Sequence, residues 1–98
     1  MNTIKFTGII RNGQVNLDEA RDRVVREAHS AGIPETVTAD FLAKVVSKAK
    51  AVLRPIEEAK GKAIVTATLE DGQLQLVECQ LIYRNRYGDR KDCSFNHL

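Results

Sequence analysis

Ile4-Lys5-Phe6-Thr7-Gly8-Ile9-Ile10-Arg11-Asn12-Gly13-Gln14-Val15-Asn16-Leu17 carries the reading that decides the fold. Ile4, Phe6, Gly8 and Ile10 share one parity, so in an extended chain they lie on one face. Asn12-Gly13 is the strongest short signal for a two-residue type I′ turn, because both positions of that turn need a positive φ. With those two as the loop, Arg11 faces Gln14, Ile10 faces Val15 and Gly8 faces Leu17. The apolar pairs fall on the same face. Turn chemistry and side-chain alternation therefore agree on one register, and the stretch reads as a β-hairpin.

A second hairpin follows from the same logic. Ala63 to Leu69 and Gln73 to Tyr83 flank Asp71-Gly72, another type I′ signal, which sets Leu69 opposite Leu74 and Ala67 opposite Leu76. Beyond Leu76 the apolar residues change parity to Val77, Cys79, Leu81 and Tyr83, and a β-bulge near Val77 would repair the register. Tyr87-Gly88-Asp89-Arg90 reads as one more turn. It would send Lys91 to Phe95 back as a short edge strand; otherwise 91–98 is a frayed tail. The two hairpin strings look alike, but turn residues plus alternation account for the likeness without a duplication.

Between the hairpins lie two helical patterns. The first starts near Asn16, whose side chain can cap the opening turn with Glu19 reaching back, and it ends at Gly32 and Pro34. Leu17, Ala20, Val24, Val25 and Ala28 form its apolar stripe, and Glu19–Arg23 and Asp22–Arg26 are spaced as acid–base pairs. The second takes Thr38 as N-cap, with Phe41, Leu42, Val45, Val46, Ala49, Val52, Leu53 and Ile56 at a 3.6-residue period. Pro55 predicts a kink or restart, and Gly61 a stop. The order is β-β-α-α-β-β(-β). It implies an α+β fold, an antiparallel sheet of four to five strands with two helices on one face, spanning 1–98 as a single domain. The other face is the more polar one, carrying Lys5, Thr7, Thr66, Thr68 and Gln75 together with Ile9. Free sheet edges leave room for an edge-to-edge homodimer.

Composition narrows the class. With 43% hydrophobic and 29% charged residues in 98, the chain is neither disordered nor a disulfide scaffold. No apolar run reaches the roughly 18 residues of a membrane-spanning helix, so no membrane partner is expected. The opening residues lack a signal-peptide core, and two cysteines, Cys79 and Cys93, are expected to stay reduced in the cytoplasm.

No catalytic constellation emerges. Cys79, Cys93 and His97 lack the tight cysteine pair of a structural zinc site, and no phosphate-loop or dinucleotide motif is present, so no metal or cofactor is expected. Cys93 near His97 is the only arrangement resembling a thiol dyad, and a small thiol enzyme is the remote alternative. The expectation is a non-enzymatic regulator, adaptor or inhibitor.

Two basic stretches stand out instead. Lys44, Lys48, Lys50 and Arg54 lie outside the apolar arc of the second helix, with Asp40 the only acid between Ala39 and Arg54. The segment from Tyr83 to Lys91 interleaves Arg84, Arg86, Arg90 and Lys91 with Tyr83 and Tyr87. Arginine contacts carboxylate or phosphate bidentately, and tyrosine anchors interfaces or stacks on bases. These ten residues are the candidate partner-binding set. An acidic protein surface is the first choice of partner and nucleic acid the alternative. The reading requires the two stretches to merge into one contact area.

Overall fold

The computed structural model describes residues 2–98. The elements are β1 (Asn2–Arg11), β2 (Gln14–Asn16), α1 (Asp18–Ser30), α2 (Glu35–Leu53), β3 (Lys60–Glu70), β4 (Gln73–Arg84) and β5 (Arg90–Phe95). The fold is α+β, with one five-stranded antiparallel sheet in the order β2-β1-β3-β4-β5. The fifth strand forms, so the chain pairs through Phe95 rather than fraying from Lys91.

Both hairpins adopt the expected registers. Asn12 and Gly13 have φ of 52° and 76°, Asp71 and Gly72 of 52° and 72°, as type I′ turns require. Ile10 pairs with Val15, Leu69 with Leu74 and Ala67 with Leu76. Thr66 then pairs with Glu78, which leaves Val77 as the extra residue of a bulge. The third turn is centred earlier than its Gly88 suggests. Asn85 N–H donates to the Asp89 carbonyl (3.0 Å) and Gly88 N–H to the Asn85 carbonyl (2.9 Å), with Gly88 at φ 82°. The Asn85 side chain draws the turn in by accepting from the Tyr87 and Asp89 amides.

Helix ends show where local chemistry gives way to burial. Asn16 Oδ1 accepts the Asp18 amide at 2.7 Å, so the expected capping side chain is used, although α1 itself begins at Asp18. The end of α1 is a Schellman motif: Ile33 N–H reaches the Ala28 carbonyl, Gly32 N–H the His29 carbonyl, and Ile33 is buried. Thr38 does not cap α2. The helix starts at Glu35 after Pro34, and Thr38 sits one turn inside, fully buried, its hydroxyl directed back to the Pro34 carbonyl (3.4 Å). Pro55 ends α2 at Leu53 rather than kinking it, because the ring cannot continue the ladder.

Gly61 also departs from expectation, lying within β3 and not at a helix stop. A Cβ there would collide with the Ile82 carbonyl oxygen and lie 2.7 Å from the Tyr83 Cα, so the close approach of β3 to β4 demands glycine. Gly8 meets the same constraint where the chain leaves β2, since a Cβ would lie 2.6 Å from the Asn16 carbonyl oxygen.

One core lies between the sheet and the helices. Ile4, Phe6, Ile10, Ala63, Val65, Cys79, Leu81 and Tyr83 from the sheet meet Val24 and Ala28 of α1 and Phe41, Leu42, Val45, Ala49 and Leu53 of α2. The strand residues of opposite parity form a face that no helix covers.

Candidate functional site: the basic end of the open sheet face

Residues directly opposite one another in antiparallel strands project from the same face. Following the register across the open face, Arg11 of β1 faces Lys60 of β3, Lys60 faces Arg84 of β4, and Arg84 faces Arg90 of β5. Four cations therefore stand in one row across four strands. At about 4.8 Å per strand the row is roughly 14 Å long. The next row inward is Ile9, Lys62, Ile82 and Asp92, and the one after is Thr7, Ile64, Gln80 and Ser94. This end of the face carries Arg11, Lys60, Lys62, Arg84 and Arg90 around Asp92, and at the β2 margin Asp18 and Glu19 line a depression with Ile9 and Arg11. A shallow depression between β3, β4 and β5 is lined by Lys60, Lys62, Ile82, Arg84 and Arg90.

Among the described residues only two ion pairs form, Lys44–Asp40 (3.1 Å) and Arg86–Glu57, so the row is unpaired. Arg84 is held in place through Nη1, which donates to the Gly88 carbonyl at 2.9 Å. Like charges directly across a sheet are destabilising. Aligning four of them has a stability cost that a purely structural surface does not need.

The ten residues singled out by sequence are scattered relative to this row. Arg84 and Arg90 belong to it. Tyr83 is 8% exposed and its side chain is part of the core, because the bulge at Val77 turns odd-numbered β4 residues inward. Burial raises its hydroxyl pKa, with Cys93 and Asp92 adding to it. Tyr87 is the opposite case, 79% exposed at the tip of the Asn85–Asp89 turn, with the Arg86 guanidinium 5.6 Å from its ring centre. Arg86 is bound to Glu57. Lys91 pairs with Tyr83 and so projects from the helix side.

The α2 cations lie on that side too, on two separate flanks. Lys44 pairs with Asp40, and half-buried Lys48 sits 6.0 Å from the Phe95 ring centre. Lys50 and Arg54 line a groove with Asn12, Gln14, Glu57 and Glu58. The two basic stretches thus do not form one contact area: Arg84 and Arg90 face away from α2, whereas Lys91 projects from its side and Arg86 reaches Glu57 of the Lys50–Arg54 groove.

Sequence reasoning missed Arg11, Lys60, Lys62, Ile64 and Ile82 as members of the site. The Arg84–Arg90 pairing was within reach of a correctly centred turn. The Arg11–Lys60 pairing was not, because β1 and β3 are joined only after two helices.

Both thiols are shifted above the ordinary cysteine value. Burial, with Cys93 and Glu78 adding to it, pushes Cys79 up to about 12. Burial and Asp92 raise Cys93 as well, the reverse of what a nucleophile needs. His97 Nδ1 is 3.0 Å from Asn96 Oδ1. No helix among the described residues is long and apolar enough to cross a membrane.

No protein-family model, curated protein or solved structure matches this chain.

Proposed function

We propose that the protein is a non-enzymatic binding module that docks an acidic surface of a partner protein on the basic end of its open sheet face. The observation that carries this reading is the unpaired row of Arg11, Lys60, Arg84 and Arg90. Behind the row, Ile9 is 45% exposed and Ile64 and Ile82 are half-buried, so cations border an apolar patch. Protein interfaces combine an apolar centre with a polar rim in this way. The face carries no aromatic side chain on which a base could stack: Phe6, Phe41, Tyr83 and Phe95 belong to the helix side, and Tyr87 to a turn. That favours an acidic protein over single-stranded nucleic acid. The reading places the protein in the cytoplasm, where Cys79 and Cys93 stay the free thiols they are in the fold.

The test is capture from lysate with and without nuclease treatment, followed by reconstitution with the enriched protein in pure form. The expected partner is acidic. Its affinity should drop at least about tenfold for Lys60→Glu/Arg84→Glu and hold for Lys44→Glu/Lys48→Glu, since charge pairs at interfaces are worth that much or more. Binding unchanged by the first pair of reversals overturns the reading. So does a partner that nuclease removes and single-stranded DNA replaces, with affinity falling steeply as salt rises.

A further inference from the structure

The two edges of the sheet are finished differently. On the β2 side, β2 covers only Ile9 to Arg11, then the chain turns into α1 and the Arg23 guanidinium takes the Lys5 carbonyl. On that edge Asn2 to Gly8 have no strand partner among the described residues, while the Lys5 carbonyl is capped. This also explains why Arg23 does not pair with Glu19. The other edge is β5, six residues with no proline, glycine or bulge. Among the described residues no side chain hydrogen-bonds to its backbone.

The hydrogen-bonding direction along β5 follows from its turn. Asn85 and Asp89 are bonded across it. Alternation in an antiparallel ladder then points the N–H and C=O groups of Lys91, Cys93 and Phe95 at β4, and those of Arg90, Asp92 and Ser94 outward. A docking strand would meet three donors and three acceptors in regular array.

We propose that this edge pairs with β5 of a second copy of the chain, antiparallel about a twofold axis through Cys93. The edge is self-complementary. The pleat allows only registers that set open-face residues against open-face residues. Two such twofold registers pair five of the six strand residues. The register centred on Asp92 sets that carboxylate directly against the same residue of the second copy, a like-charge pair. The register centred on Cys93 sets Asp92 against Ser94, Lys91 against Phe95 and thiol against thiol, with no like charges opposed. It also covers Cys93 and Phe95, which the monomer leaves half-buried at the margin of its core. The joined sheet has ten strands, with the two basic rows on one face at opposite ends.

Sedimentation equilibrium on the reduced protein should give twice the chain mass of 10.9 kDa, dissociating on dilution. Ser94→Pro removes an outward N–H without touching the β4 ladder, and should leave a folded monomer. A second readout is cross-linking across the axis. Cys93 lies at a non-hydrogen-bonded position across the axis, where Cα atoms are about 4.5 Å apart, within disulfide reach. Diamide takes one hydrogen from each of two thiols, is reduced to the hydrazine, and leaves an S–S bond. The chain with Cys79→Ser should cross-link to a dimer, and that with Cys93→Ser should not. With both native cysteines replaced by serine, Asp92→Cys or Ser94→Cys should not cross-link to itself. A monomeric mass at high concentration overturns the proposal. So does a dimer that survives Ser94→Pro, or self-cross-linking through position 92 or 94 in place of Cys93. None of these outcomes depends on the acidic partner.

Discussion

Lys60 of β3 lies directly opposite Arg84 of β4 on the face of the sheet that no helix covers, two cations where opposite charges would be more stable. Binding and stability therefore pull against each other at this position. Lys60→Glu converts two like-charge neighbours, Arg11 and Arg84, into attractive ones. It should raise the unfolding free energy from urea titration by on the order of 0.5 kcal/mol, with a higher midpoint, while weakening binding of the acidic partner. A lower midpoint in a folded variant would show that the row is not under electrostatic tension.

Gly61→Ala probes the close approach of β3 to β4. The added methyl meets backbone atoms of Ile82 and Tyr83, which cannot rotate away. The expected loss is about 1–3 kcal/mol, read by chemical denaturation. Ala63→Gly, on the same face two residues along β3, reports the glycine propensity effect together with the loss of a buried methyl, and so bounds the propensity effect from above.

The two tyrosines should separate in a paired experiment. Tyr83→Ala empties a buried site and should cost about 3–5 kcal/mol, the range for large aromatic truncations. Tyr87→Ala removes a ring that is 79% exposed, and should change stability by no more than about 0.5 kcal/mol. Equal losses would mean that the turn at Asn85–Asp89 draws its order from Tyr87 rather than from the Asn85 side chain.

Cys79 makes the fold sensitive to alkali. Burial pushes its thiol up to about 12, whereas in the unfolded chain it ionises at about 8.5. Between those values the folded chain holds a proton that the unfolded chain has released. Stability is complete below the lower value and declines as pH rises through the window. Urea midpoints should therefore fall between about pH 8 and 10, and Cys79→Ala should flatten the slope. A slope indifferent to Cys79→Ala would assign the sensitivity elsewhere.

Most of the fold was legible because its deciding signals are local. Asn12-Gly13 and Asp71-Gly72 each specify a turn, and each turn dictates its own register, down to the extra residue at Val77. Thr38 misled because a threonine before an apolar run looks like a cap, and only tertiary burial shows it to be core. The candidate site was half legible. Arg84 and Arg90 were in view, but the lysines of α2 were given the same weight. Nothing short of the β1–β3 pairing, which joins residues some fifty positions apart, brings Arg11 and Lys60 to them.

Val77 has a consequence for how the chain tolerates changes in length. It has no partner in β3, and its neighbours on either side keep alternating as though it were absent. Deleting it would leave Cys79, Leu81 and Tyr83 inside and Arg84 outside. Deleting Gln80 could be absorbed only by driving Glu78 inward and Cys79 out. The strand thus holds one residue of slack at a single place. A chain shortened there would keep the same two faces on a less twisted sheet, with its four cations laid out straighter.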